Sequence, residues 1–177
     1  MPLLRPATDA DVPALRALIE QSVRGLSGGF YTPAQVESAL RYVFGPDTQL
    51  IADGTYYVVE AEGDVVAAGG WSRRRTLYGG DQMRTGADPP LDPASEPARI
   101  RAFFVHPSWA RRGLGRLLFN ECLAAARAAG FRELELVATL PGEPLYAALG
   151  FAARERTTVA LPDGEGLPVV RMTRGME

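Results

Sequence analysis

One short segment consists almost entirely of arginine and glycine, a composition that suits the binding of an anion. It is Arg111-Arg112-Gly113-Leu114-Gly115-Arg116. Gly113 and Gly115 have no side chain that would keep the oxygens of a ligand away from the backbone. Arg111, Arg112 and Arg116 add positive charge at the same place. Phosphate is the natural candidate for such a segment, and the alternative is a helix start with exposed arginines.

The flanking residues predict a strand before this segment and a helix after it. Residues 100–105 are β-branched and aromatic, and His106-Pro107 ends the predicted strand. From Leu114 onward apolar residues recur at helical spacing as far as Gly130, which ends the predicted helix. The first turn of a helix has unpaired N–H groups and the positive end of the helix dipole, so a phosphate would be stabilised there.

This arrangement resembles the GCN5-related N-acetyltransferase (GNAT) family, in which a strand and a Gln/Arg-x-x-Gly-x-Gly/Ala turn open a helix that holds the pyrophosphate of acetyl-CoA. The glycines of that motif correspond to Gly113 and Gly115, and Ala110 stands where the family has Gln or Arg. Residues 145–151 resemble a second motif of the family, Leu-Tyr-x-x-Leu-Gly-Phe, and Thr139 stands where the family often has Asn. The resemblance is specific over residues 100–151 and elsewhere extends only to the order of elements.

The resemblance implies an α/β fold of the acyl-CoA N-acyltransferase type, with a mixed, mostly antiparallel twisted sheet, a central βαβ unit and flanking helices. It also implies an enzyme that transfers the acetyl group of acetyl-CoA, as cosubstrate, to a primary amine of a small molecule or peptide by direct attack. A non-catalytic module that binds or senses acyl-CoA is the alternative. The cofactor-binding residues implied are Phe103, Val105, Arg111, Arg112, Gly113, Leu114, Gly115 and Arg116.

The second motif nominates Tyr146 as the catalytic acid that protonates the leaving thiolate. A phenol with a pKa of about 10 can protonate a thiolate whose conjugate thiol has a pKa of about 8.5. The sequence does not single out a general base. Glu60, Asp64, Glu96 and an ordered water stay open, and the single histidine, His106, is assigned a structural or phosphate-side role.

Composition limits the class of protein. The chain has 177 residues, 46% of them hydrophobic, which predicts one N-acetyltransferase domain over residues 1–177. A formal net charge of -2 argues against nucleic acid or an anionic membrane as the main partner. The single cysteine, Cys122, lies on the apolar face of the long helix, so it is expected to be structural and no metal is expected. The sequence shows neither a signal peptide nor a membrane span, which predicts a cytoplasmic protein, and it leaves a homodimer open.

The other segments predict strands and helices in alternation. The predicted strands cover residues 3–6, 55–61, 65–71, 100–105, 133–138, 157–161 and 168–172, and the predicted helices run from a Thr8 cap to Arg24 and over residues 33–42, 114–129 and 143–149. Residues 55–61 and 65–71 form a predicted hairpin. Residues 76–97 are rich in Gly, Pro and Asp, so this long connection is either mobile or part of a binding surface.

Two groups of side chains are candidates for contact with the acceptor. The first two helices flank the acceptor pocket in the resembled family, so Phe30, Tyr31 and Tyr42 are candidates for its lining, and packing in the core is the alternative. Arg99, Arg101 and the run Arg73-Arg74-Arg75 suggest an acceptor that carries a carboxylate or phosphate, and solvated charge is the alternative.

Overall fold

A computed structural model describes residues 1–176, in which seven strands form one open sheet with helices on both faces. The strands are β1 (Leu3–Pro6), β2 (Tyr56–Ala61), β3 (Asp64–Ser72), β4 (Ala98–Val105), β5 (Glu133–Thr139), β6 (Ala152–Ala160) and β7 (Gly166–Gly175). The helices are α1 (Val12–Leu26), α2 (Pro33–Tyr42), α3 (Thr48–Asp53), α4 (Leu114–Ala128) and α5 (Glu143–Ala148). No helix among residues 1–176 is long and apolar enough to cross a membrane.

The strands lie in the order β1-β2-β3-β4-β5-β7-β6. Every neighbouring pair is antiparallel except β4 and β5, which are parallel and are connected through α4. The predicted mixed, mostly antiparallel sheet with a central βαβ unit is therefore confirmed. A parallel pair needs a crossover connection, and α4 provides it.

Alternate residues of the central strands face two separate layers of helix. Tyr57 and Val59 of β2 pack with α4, whereas Tyr56 and Val58 pack with α1 and α3. This is the side-chain alternation expected of a strand that is covered on both faces. Cys122 of α4 is fully buried in the first layer, which confirms its structural role, and burial raises the pKa of its thiol.

The structure differs from the predicted elements in three places. Helix α3 was not predicted, although Asp47 accepts hydrogen bonds from the N–H groups of Gln49 (3.0 Å) and Leu50 (3.2 Å), which is an ordinary N-cap. Strands β6 and β7 are longer than predicted, and they form an antiparallel ladder with one register shift between Ala153 and Glu155. The connection over residues 76–97 contains a 3₁₀ turn, Asp81–Met83, and a bridge between Arg74 and Pro90.

Arg101 of β4 holds this long connection against the sheet. Its guanidinium, which is 3% exposed, donates to Asp47 Oδ2 at 2.8 Å and to the carbonyl oxygen of Gly79 at 2.7 Å. Arg84 also pairs with Asp47, at 2.5 Å. A buried guanidinium needs partners for its N–H groups, and here β4, α3 and the connection supply them together.

The other candidate arginines also have internal partners. Arg99 donates to Glu135 at 2.7 Å, and Arg74 pairs with Asp53 at 2.7 Å. Arg75 lies 3.7 Å from Glu96, and the Arg73 guanidinium stacks over the ring of Trp71. The suggestion that Arg99 and Arg101 read an anionic group of the acceptor is therefore wrong, because the hydrogen bonds of both guanidinium groups stay within the fold.

We predict that Arg101→Met destabilises the protein by about 3 kcal/mol, because it leaves Asp47 buried with part of its charge unpaired. Arg24→Met is the matched control, since Arg24 pairs with Glu20 and Glu37 on the surface and such pairs contribute at most about 1 kcal/mol. Urea unfolding of the three proteins measures both changes. Equal midpoints for the two variants would contradict the role given to Arg101.

Candidate functional site

The turn before α4 has the backbone shape of an anion site. Arg111 and Gly113 both adopt left-handed conformations, with φ of 62° and 83°. Such residues turn neighbouring N–H groups toward a common point, which gives a concavity that suits oxygen anions. A Cβ atom on Gly113 would meet no atom within 4 Å, so there is open space beside the turn. Glycine is therefore favoured here by the left-handed backbone conformation and not by a close neighbour.

The arginines of the turn are exposed around this concavity. Arg111, Arg112 and Arg116 all lie at the surface, and Arg112 stacks on the ring of Trp109 at 4.7 Å. Arg116 stands in the first turn of α4, where the helix dipole disfavours positive charge. A bound anion would relieve this repulsion, so the electrostatics of the turn favour a negatively charged ligand.

Leu114 and Gly115 are buried in the packing beneath the turn. A Cβ atom on Gly115 would lie 2.8 Å from Leu145 Cδ2, so the missing side chain lets α4 pack directly against α5. The sequence indicates that a glycine here lets the oxygens of a ligand come close to the backbone. The packing of α4 against α5 is a second reason for a glycine at this position. This contact fixes the distance between the turn and Tyr146, which lies on α5.

Strand β4 leaves β5 after Arg99, and its ladder with β3 is interrupted at Ala102 and Phe103 before it resumes at Phe104. Its ladder with β5 contains two pairs and stops at Arg99, opposite Glu135. Its ladder with β3 skips Ala102 and Phe103, and Ala102 has a left-handed φ of 57°. This is a β-bulge, which frees one stretch of backbone from the ladder. Phe103 therefore has no partner residue in either ladder of the described chain.

Phe103 and Val105 differ in how free their backbones are. The Val105 N–H donates to Ser22 Oγ of α1 at 3.2 Å, so this predicted donor already has an internal partner. The Phe103 ring lies against β3, where a Cβ atom on Gly69 would come within 2.4 Å of it. The bulge therefore places the Phe103 peptide outside the regular ladders, whereas the Val105 N–H has a side-chain partner on α1.

Tyr146 of α5 lies beside Phe103 of β4. Its ring centroid lies 6.0 Å from that of Phe103 and 5.9 Å from that of Phe151, and its side chain is 8% exposed. Its hydroxyl makes no hydrogen bond within residues 1–176 and is not among the fully buried polar atoms. Burial raises the pKa of Tyr146, so the phenol keeps its proton throughout the neutral range.

The residues considered as general bases are occupied elsewhere. Glu60 pairs with Arg5 at 2.7 Å, and Glu96 accepts from the Asp92 N–H at 2.9 Å. Asp64 is exposed at the start of β3. His106 Nδ1 accepts from the Ser108 N–H at 3.0 Å, which fits the structural role predicted for it. None of these four side chains is a free base beside Phe103 and Tyr146.

A groove of about 580 Å³ lies between α1, α2 and the segments around Gly45 and Gln82. Ile19 and Phe44 contribute apolar surface to it, and the Phe44 ring contacts Phe104 of β4 at a centroid distance of 6.0 Å. Arg24 bridges Glu20 and Glu37 at its edge and lowers the pKa of Glu37. Phe44 thus connects the wall of the groove to β4 on the face of the sheet opposite α4.

The aromatic candidates for an acceptor pocket have different environments. Tyr31 is buried, and its hydroxyl donates to the Pro168 carbonyl at 2.6 Å and accepts from the Leu140 N–H at 2.9 Å. Tyr31 therefore connects the start of α2 to β7 and to the end of β5. This confirms the alternative prediction that Tyr31 packs in the core. Phe30 is 47% exposed, and Tyr42 is partly buried beneath Arg41.

Tyr56 and Ser22 were missed by the sequence reasoning. Tyr56 donates from its hydroxyl to the carbonyl oxygen of Ala102 at 2.7 Å, and Ser22 accepts from Val105 as described above. Each is a polar residue within an apolar helical or strand pattern, and that is the only signal the sequence offers. The partner backbone is 46 residues away for Tyr56 and 83 for Ser22, and no local pattern encodes such a contact.

The comparisons with known proteins agree with this geometry. The family model of the acetyltransferase (GNAT) family matches residues 22–151, which include the turn, the bulge and Tyr146. No curated protein sequence gives a significant match.

Solved structures share the fold over nearly the whole chain. A GCN5-related N-acetyltransferase from Rhodopseudomonas palustris is 23% identical, with a TM-score of 0.72 over 99% of this chain and 96% of the other. The PaiA N-acetyltransferase of Thermoplasma acidophilum, in complex with coenzyme A, is 13% identical, with a TM-score of 0.66 over 99% of both chains. YncA of Salmonella typhimurium, with acetyl-CoA, is 18% identical, with a TM-score of 0.63 over 99% and 94%.

Proposed function

Because the chain belongs to the acetyltransferase (GNAT) family, we propose that it transfers the acetyl group of acetyl-CoA to a primary amine of a small molecule or peptide by direct attack. In this proposal residues 1–177 form one N-acetyltransferase domain. The observation that carries it is the interruption of both β4 ladders at Phe103, whose ring lies 6.0 Å from that of Tyr146. The complexes of PaiA with coenzyme A and of YncA with acetyl-CoA support the choice of cosubstrate.

The cosubstrate would lie along the turn before α4 and along the backbone of β4. Backbone N–H groups of the turn, with Arg111, Arg112 and Arg116, would hold its pyrophosphate, and the buried Leu114 and Gly115 would keep the turn in place. The backbone of β4 at Phe103 and Val105 would hold the pantetheine arm, with Phe103 providing the free N–H. Acetyl-CoA supplies an activated acyl group as a thioester.

The residues of this chain supply orientation and a proton. The Phe103 N–H is a fixed donor aimed from the bulge, and such preorganised donors stabilise negative charge on an acyl oxygen. Tyr146 keeps its proton near neutral pH because burial raises its pKa, so it can donate a hydrogen bond to the leaving sulfur. The amine would enter through the groove between α1 and α2, whose wall contacts β4 through Phe44 and Phe104.

Deprotonation of the amine would go through ordered water. Glu37 lines the groove, but Arg24 lowers its pKa, which makes it a weak base. The groove is open to solvent, so a water molecule in it can take the proton from the amine and pass it to bulk water. The occupied carboxylates Glu60 and Glu96 are consistent with this route.

The test of this function measures release of free thiol from acetyl-CoA in the presence of a panel of primary amines. We expect release that depends on one class of amine, and calorimetric binding of acetyl-CoA without any amine. Gly113→Val is the control, because the branched residue strains a backbone with φ of 83° and fills the open space beside the turn. It should weaken binding at least tenfold with the fold retained.

The outcomes separate the alternatives. Binding of acetyl-CoA without thiol release for any amine would favour a non-catalytic acyl-CoA module. Equal affinity of the wild type and Gly113→Val, with normal thermal unfolding of the variant, would contradict the phosphate site. No binding at all would contradict the proposal as a whole.

We further predict that Tyr146→Phe lowers the rate of acetyl transfer by about 10²-fold or more and leaves acetyl-CoA affinity nearly unchanged. The hydroxyl makes no hydrogen bond within residues 1–176, so the free energy of unfolding should barely change. Tyr31→Phe is the control for stability, because it loses two hydrogen bonds and should cost about 1 kcal/mol or more. Single-turnover kinetics that show a full rate for Tyr146→Phe would remove its assignment as proton donor.

A further inference from the structure

The Ala102 carbonyl, which the bulge turns out of the β3 ladder, accepts a hydrogen bond from a tyrosine two strands away. Tyr56 lies on β2, and its hydroxyl donates to the Ala102 oxygen at 2.7 Å. The side chain crosses β3 at Gly70, where a Cβ atom would lie 2.8 Å from Tyr56 Cδ1. Tyr56 is 1% exposed, and burial raises its pKa, so its hydroxyl keeps its proton and can donate at neutral pH.

This contact acts on one peptide unit. The Ala102 carbonyl and the Phe103 N–H belong to the same peptide, which is planar and trans. A hydrogen bond that fixes the direction of the carbonyl therefore fixes the opposite direction of the N–H. A carbonyl that accepts a hydrogen bond also polarises its own peptide, which makes the N–H a stronger donor.

The opposite face of the sheet holds the same peptide from its other side. The Phe103 ring lies on Gly69 and contacts Tyr146, so it packs in the layer of α4 and α5. Ala102 itself packs in the layer of α1 and α3. A left-handed conformation is unfavourable for a residue other than glycine, so the contacts on both faces are what keep Ala102 in it.

We propose that Tyr56 is a positioning residue that aims the Phe103 N–H at the acyl donor. This inference rests on the proposed function, because it takes acetyl-CoA as the ligand of the Phe103 peptide. Tyr56 touches neither the ligand nor the amine, and it acts only through the peptide that joins Ala102 to Phe103. Its hydroxyl therefore contributes to affinity for acetyl-CoA from the far face of the sheet.

The test compares Tyr56→Phe with Tyr57→Phe. Both variants keep the aromatic ring and remove one hydroxyl from neighbouring buried residues, but Tyr57 faces the α4 layer and does not bond to Ala102. We expect Tyr56→Phe to weaken acetyl-CoA binding about tenfold by calorimetry and Tyr57→Phe to bind within about twofold of the wild type. The Phe103 amide resonance of the ligand-free protein should shift in Tyr56→Phe and stay in place in Tyr57→Phe.

A double variant separates positioning from stability. Tyr56→Phe combined with Ala102→Gly removes the left-handed strain, so it should regain the thermal stability lost in Tyr56→Phe and keep the chain folded. We expect its affinity for acetyl-CoA to stay about tenfold weak, because the peptide is still not held. Recovery of affinity together with stability would overturn the proposal, and so would wild-type affinity in Tyr56→Phe. Failure of the wild type to bind acetyl-CoA would instead contradict the proposed function itself.

Discussion

Backbone N–H and C=O groups inside a sheet need partners, and β4 does not find all of its partners in the neighbouring strands. Its parallel ladder with β5 ends after two pairs, and a bulge at Ala102 and Phe103 interrupts its ladder with β3. This interrupted stretch lies between the two helical layers, with Phe103 in one and Ala102 in the other. A ligand with amide and carbonyl groups can complete the hydrogen bonding of β4 there, as a further strand would.

The rest of the structure holds this interruption in place. Arg101, next to the bulge, is buried against Asp47 and ties β4 to α3 and to the long connection. Tyr56 holds the Ala102 carbonyl from one face, and the rings of Phe103 and Tyr146 meet on the other. Gly115 brings α4 against α5, so the turn before α4 and Tyr146 keep a fixed separation. A site preorganised in this way loses little free energy to rearrangement when its ligand binds.

Local patterns in the sequence predicted the parts of the site that are themselves local. The alternation of arginine and glycine before an amphipathic helix located the turn, and residues 145–151 located Tyr146. The bulge was beyond prediction, because it depends on Tyr56 reaching across β3 past Gly70, where β2, β3 and β4 must already be paired. For Arg101 the sequence offered an anionic acceptor or solvated charge, and both are wrong for the same reason, since its partner Asp47 lies 54 residues away in the chain. Long-range polar contacts decide which charged residues are free, and periodicity does not encode them.

The claim that the interrupted backbone of β4 is the binding site is tested most directly by amide resonances during a titration with coenzyme A. A ¹⁵N-labelled protein reports every backbone N–H at once, and it needs no knowledge of the acceptor amine. The account predicts the largest shifts at Phe103, at the turn from Arg111 to Arg116 and at Tyr146. Shifts confined to the groove between α1 and α2, with Phe103 and Gly113 unmoved, would contradict it.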